Sequence, residues 1–90
     1  MYENYIGTLV KALDGVCEQH NFSWSISYQR YSGYQVMVDN MIIRDDDDEE
    51  MVYASLQEAI KGAFTILTHA TQSSIVVHFD GTFTLEEEKG

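Results

Sequence analysis

The residues of this chain with the most evident chemical potential are six consecutive acids at positions 45–50. Carboxylates in a row could form a divalent-cation loop or supply a general acid and base. A calcium-binding loop needs alternating ligands and a central glycine, and this run has neither, so its spacing predicts only weak, nonspecific divalent binding. Acids on an exposed loop also lack the burial that would raise a pKa for catalysis.

Two interpretations of the acidic run stay open. It is either a solvated loop that keeps the end of a sheet from pairing with other chains, or a patch that faces a binding partner. We carry the second forward as the candidate partner-binding site, whose residues are Asp45, Asp46, Asp47, Asp48, Glu49 and Glu50.

The remaining reactive side chains predict no catalytic residue, no metal site and no cofactor. Cys17, the single cysteine, lies beside Leu13 and Val16 at helical spacing, which favours a core position over a nucleophile. The three histidines have no metal-ligand spacing, such as a four-residue step on a helix. No glycine-rich phosphate loop, nucleophile elbow or CxxC motif is present in the sequence.

Composition predicts one small acidic domain. The chain has 90 residues, of which 44% are hydrophobic, and fifteen Asp and Glu against five Lys and Arg give a net charge of −10. This charge disfavours direct binding to nucleic acid or to an anionic membrane and favours a basic protein partner. A lone cysteine and an N-terminus without signal-peptide character lead us to expect a cytoplasmic protein.

The hydrophobic pattern predicts two helices. Residues 3–20 carry apolar side chains at helical spacing, including Ile6, Leu9 and Leu13. A second helix is predicted from Leu56 to about residue 69, because Ser55-Leu56-Gln57-Glu58 matches a capping box, in which the serine hydroxyl and the glutamate carboxylate satisfy each other's backbone amides.

Five strands are predicted from alternation and from turn residues. They cover residues 22–29, 34–43 and 51–54, with a final hairpin in 74–86. The order α-β-β-β-α-β-β predicts an α+β fold, in which one antiparallel sheet of about five strands has both helices on one face.

The register of the first hairpin follows from keeping one face apolar. A two-residue loop would place Asp39 beside Ile26 on that face. A three-residue loop at residues 31–33 instead pairs Tyr28 with Val36 and leaves the face apolar, so we predict this register.

The same test applied to the final hairpin predicts a three-residue loop at residues 79–81. In both hairpins the last loop residue is a glycine, Gly33 or Gly81, and both are predicted to adopt positive φ. One face is then expected to carry Ile75, Val77, Phe83 and Leu85, and the other Ser74, Val76, His78, Thr82, Thr84 and Glu86.

A second candidate surface lies on the predicted outer face of the first hairpin. Ser25 shares that face with Met37 and Met41, and adaptable apolar side chains on a polar sheet surface are typical of contact regions.

Two hypotheses of function follow. Contiguous carboxylates approach the charge density of a phosphate backbone and so compete for the same Lys and Arg. In size, acidity and lack of catalytic motifs the chain resembles small phage-encoded inhibitors of host defence, namely anti-CRISPR proteins and DNA mimics. This resemblance implies a non-catalytic inhibitor that occupies a basic, nucleic-acid-binding site on a partner protein. The alternative is a small structural or accessory subunit, such as a homodimer, in which the acidity serves solubility.

Overall fold

The computed structural model describes residues 2–87, with side chains from residue 6 onward. Its elements in chain order are α1 (Tyr2–His20), β1 (Trp24–Gln29), β2 (Gly33–Val38), α2 (Leu56–Thr71), β3 (Ser73–Val77) and β4 (Phe83–Glu87). The predicted α+β class is therefore confirmed.

The strands form two small sheets rather than one. β1 pairs with β2 and β3 pairs with β4, both antiparallel, and these are the four strands within residues 2–87. The predicted five-stranded sheet is wrong, because residues 51–54 contribute only one bridge, in which Tyr53 and Tyr34 exchange backbone bonds of 2.8 and 2.9 Å. The segment cannot extend this pairing because the chain bends at once into Ser55, the N-cap of α2.

β2 ends earlier than the predicted residue 43. Asp39 adopts a left-handed φ of 53°, and the chain reverses so that Val38 and Met41 exchange backbone bonds of 3.1 and 2.8 Å. The turn is fastened to the start of β1, since the Asp39 carboxylate accepts the Ser23 N–H at 2.7 Å. Met41 therefore follows a turn and does not continue the outer face of the strand.

The first hairpin keeps the predicted apolar face but has a different register. Tyr28 pairs with Tyr34 and Ile26 with Val36, a shift of two residues from the prediction. The loop has three residues, at positions 30–32, so the predicted length is correct and its position is off by one. Gly33 has the predicted positive φ, at 124°.

The second hairpin matches its prediction. Val77 pairs with Phe83 and Ile75 with Leu85 around a loop at residues 79–81. Gly81 has a φ of 84°, and its N–H donates to the His78 carbonyl at 3.0 Å. The four apolar side chains are half-buried, whereas those of the opposite face are exposed, as the alternation predicts.

Both helices form where the apolar periodicity places them. Ser55 Oγ accepts the Glu58 N–H at 3.2 Å, which is the first half of the predicted capping box, and α2 ends at Gln72 with a φ of 55°. Within residues 2–87, neither helix has both the length and the apolar run needed to cross a bilayer.

One hydrophobic core joins the helices to both hairpins. Its buried side chains come from α1, β2 and α2, and half-buried residues of the other strands pack against them. Trp24 lies on the core side of β1, as the strand prediction requires. The buried cluster consists of Leu13, Val16, Cys17, Val36, Val38, Ala63, Ile66 and Leu67.

We predict that Gly33→Ala destabilises the protein by at least about 1–2 kcal/mol, because a side chain is strained at this positive φ. A Cβ at this position would also lie 2.6 Å from the Tyr53 carbonyl oxygen, which accepts the bridging bond from Tyr34. Urea unfolding of the wild type and the variant measures the difference in the free energy of unfolding.

Gly7→Ala is the matched control, because Gly7 lies in α1 and a Cβ there meets no atom within 4 Å. We expect this change to stabilise the protein by about 0.5–1 kcal/mol through helix propensity. Equal effects of the two substitutions would contradict the role assigned to the conformation of Gly33.

Candidate protein-binding site

The acidic run forms the tip of a small hydrogen-bonded loop between β2 and α2. Ile43 accepts the Met51 N–H at 2.8 Å, and Arg44 pairs with Glu50 in an antiparallel bridge. Nearer the tip, the two arms of this loop are joined by a further backbone bond, in which the Asp45 N–H donates to the Glu49 carbonyl at 2.8 Å. Residues 45–50, the acidic turn, are thus held in one conformation by backbone bonds at their base.

Asp45 organises the acidic turn from within. Its Oδ1 accepts the N–H of Asp47 at 2.9 Å and that of Glu49 at 3.1 Å, and its carbonyl accepts the N–H of Asp48 at 3.0 Å. Asp48 takes the left-handed φ of 61° that closes the turn, a conformation that Asp and Asn tolerate better than most residues. The side chains therefore project from a defined scaffold.

The acidic turn presents a concentrated negative charge to solvent. All six of its residues are exposed, and Arg44 is the one cation that contacts them within the described chain, with Nε 3.9 Å from Asp48 Oδ1. At this length and exposure, the ion pair contributes little to stability. Six carboxylates less one guanidinium leave a formal charge of −5 on residues 44–50.

A mainly apolar groove of about 500 Å³, whose lining also includes Glu58, Lys61 and Thr65, lies beside the acidic turn, between residues 51–54 and α2. Met51 and Val52 line it and are 38% and 39% exposed. Both Tyr53 and Gly62 line the groove, and Tyr53 lies so close over Gly62 of α2 that a Cβ at this position would clash with its ring. Sequence reasoning missed this groove because it assigned residues 51–54 to the sheet.

The second candidate surface is only partly assembled. Ser25 and Met37 pair across the first hairpin and are both exposed. Met41 is half-buried and packs against the core, because the chain turns at Asp39. The predicted grouping of Met41 with the other two residues is therefore wrong.

Cys17 is buried in the core, with 1% of its surface exposed. Burial raises the pKa of its thiol to about 11, with smaller contributions from the negative charges of Asp14 and Asp39. A nucleophilic cysteine requires the opposite shift, because the thiolate is the reactive form.

Two of the three histidines make local polar contacts. His20 Nδ1 lies 3.1 Å from the Val16 carbonyl, and His78 Nε2 lies 2.7 Å from Thr84 Oγ1. Among residues 2–87, no three His, Cys, Asp or Glu side chains are arranged to hold a metal ion. The carboxylates of the acidic turn are exposed, and that of Asp45 is occupied by the amides of Asp47 and Glu49.

Comparison of the chain with protein-family profiles, with curated protein sequences and with solved structures finds no match.

We predict that Cys17 in the folded protein resists iodoacetamide at pH 8, because the thiol is buried and its raised pKa keeps the thiolate scarce. The unfolded chain in urea should react at the rate of an ordinary exposed thiol. Mass spectrometry of the alkylated fraction over time measures both rates. Equal rates in the two states would contradict the core position.

We predict that Asp45→Ala loosens the acidic turn, because the amides of Asp47 and Glu49 lose their shared acceptor. Amide exchange followed by NMR should show faster exchange at these two positions. Asp46→Ala removes the same charge but no hydrogen bond within the described residues, so it is the matched control and should leave both rates unchanged. Faster exchange in both variants would mean that charge, and not the carboxylate acceptor, sets the conformation.

Proposed function

We propose that this chain is a non-catalytic binding protein whose acidic turn engages a basic, nucleic-acid-binding site on a partner protein, in the manner of an anti-CRISPR protein or a DNA mimic. The observation that carries the proposal is the exposure of six adjacent carboxylates on a preformed scaffold. Lys and Arg side chains that bind phosphates would donate charge-assisted hydrogen bonds to these carboxylates in the same way.

Preorganisation supports this function over simple solubility. A flexible acidic loop would lose conformational entropy on binding, whereas the bonds from Asp45 already hold the backbone of the turn in place. Solubility requires only charge and gives no reason for an internal acceptor that fixes the turn. The scaffold is therefore better suited to recognition than a disordered acidic segment would be.

The groove next to the acidic turn supplies the apolar component of such an interface. Charges at a rim mainly accelerate association and set orientation, while desolvated apolar contacts provide much of the affinity. Met51 and Val52 follow the acidic turn directly, so a partner held by the carboxylates would reach the groove with an apolar side chain.

The proposal predicts a specific response to charge removal. A loop variant with Asp46→Asn, Asp47→Asn and Glu49→Gln loses three carboxylates that make no side-chain hydrogen bond in the described residues. We expect its association with a basic partner to slow by about tenfold at low salt, with a flatter salt dependence. Surface plasmon resonance against a panel of purified DNA-binding proteins, with DNA as competitor, measures both quantities.

A second triple variant is the charge-matched control. Glu18→Gln, Glu86→Gln and Glu87→Gln remove three exposed acids from α1 and β4 and also change the net charge from −10 to −7. Equal slowing by both variants would show that net charge alone acts and would contradict a role for the acidic turn. Circular dichroism should first confirm that both variants are folded.

A further inference from the structure

The first sheet has an open edge along β1. Tyr34 exchanges both of its backbone bonds with Tyr53, so it directs its N–H and C=O away from β1. In an antiparallel ladder its partner Tyr28 then directs its own groups away from β2, and the two-residue period extends this to Ile26 and Trp24. These outward N–H and C=O groups have no hydrogen-bond partner within residues 2–87.

Nothing in β1 protects this edge from pairing. Natural edge strands are commonly blocked by a lysine, a proline or a bulge. The sequence of β1 contains no lysine and no proline, and its pairing with β2 is continuous over six residues. Tyr28 lies on the core side of the strand and yet is 64% exposed, so the apolar face continues beyond the helices that cover it.

The charge distribution identifies the partner that fits this edge. Residues 21–38 contain no Asp or Glu and one arginine, Arg30, and all fifteen acids lie elsewhere in the chain. Carboxylates reach β1 at its N-terminal end, where Asp14 accepts the Trp24 Nε1–H and Asp39 accepts the Ser23 N–H, and none is hydrogen-bonded to residues 26–29 within the described chain. A second copy of the chain can bring the same surface to it without placing carboxylates directly against each other.

We propose that β1 pairs antiparallel with β1 of a second copy about a two-fold axis, with Ile26 opposite its own counterpart. This register gives three pairs that each exchange two backbone bonds, and it places Trp24 opposite Tyr28 of the second copy on the core side. The exposed ring of Tyr28, which already contacts Tyr34 with 4.9 Å between ring centroids, thereby gains a second aromatic neighbour. The product is a continuous four-stranded sheet in the order β2-β1-β1-β2.

The interface is small, so its self-association is weak. We expect the mass measured by sedimentation equilibrium to rise from one protomer toward two between roughly 10 µM and 1 mM. Salt should strengthen the association, because it screens the repulsion between two chains of net charge −10. A protomer mass at about 1 mM in high salt would overturn the proposal.

A charge-swap experiment tests the register without disturbing the core. In this register Ser25 lies opposite Ser27 of the second copy, and both side chains are exposed on the outer face. The Ser25→Lys/Ser27→Lys and Ser25→Glu/Ser27→Glu variants should each dimerise about tenfold more weakly than wild type, and an equimolar mixture should recover the wild-type mass. Dimerisation of either variant alone as tight as that of the wild type, or a mixture no tighter than its components, would overturn the proposal.

Tyr28→Pro and Tyr28→Phe test the contribution of residue 28. Proline removes both the outward N–H and the ring of this residue and leaves the bonds between β1 and β2 in place, so dimerisation should weaken by at least about tenfold. Phenylalanine keeps both the ring and the N–H and should dimerise as wild type does. Thermal unfolding followed by circular dichroism confirms that each variant is folded, and equal association of the two variants would overturn the strand pairing. These variants leave the acidic turn intact, so this proposal and the proposed function can fail independently.

Discussion

Each sheet has two strands within residues 2–87, and an isolated two-stranded sheet is at best marginally stable in water. The fold therefore depends on packing the apolar faces of both hairpins against one pair of helices. Leu13 of α1, Val38 of β2 and Leu67 of α2 are fully buried in the same cluster, so neither hairpin has an independent core. A substitution that separates the helices would release both sheets together.

The connection between β2 and α2 carries the proposed binding surface. Its two ends are fixed, at Asp39 by the bond to Ser23 and at Tyr53 by the bridge to Tyr34. Between these anchors the chain is longer than the direct path requires, and the excess folds back on itself to form the acidic turn. The packing of Tyr53 over Gly62 fixes the same segment against α2, and both residues line the groove beside the turn.

The features that the sequence predicted are those governed by local chemistry. The second hairpin followed from alternation and from Gly81, because that glycine ends the loop as predicted. In the first hairpin Tyr31 takes a left-handed φ of 72° inside the loop, and Gly33 instead pairs with Gln29. The register of this hairpin did not follow from alternation, because registers that differ by two residues put the same side chains on the same face. The requirement for one apolar face excluded the register with Asp39 beside Ile26. It could not decide whether Val36 or Tyr34 is the partner of Tyr28.

The errors in the connection have a related origin. Residues 51–54 have the composition of a strand, but the N-cap at Ser55 leaves room for a single bridge, and alternation contains no information about where a neighbouring strand ends. Met41 was misplaced because an apolar run continued past Asp39, whose left-handed conformation no periodicity reveals. The acidic turn was located correctly because charge alone excludes burial, whereas its internal bonds from Asp45 depend on the fold around it.

The two proposed surfaces occupy opposite edges of the first sheet, and this separation makes them compatible. Tyr53 and the acidic turn border β2, while the open edge belongs to β1. In the four-stranded sheet of the proposed dimer, the two β2 strands are three strand spacings apart, or roughly 14 Å, which exceeds the Debye length of about 8 Å at physiological salt. The acidic turns lie beyond these strands, so their mutual repulsion is screened, and the dimer presents two negative turns on one rigid sheet. A partner with two basic sites at matching separation would then bind both, with an avidity that a single turn cannot provide.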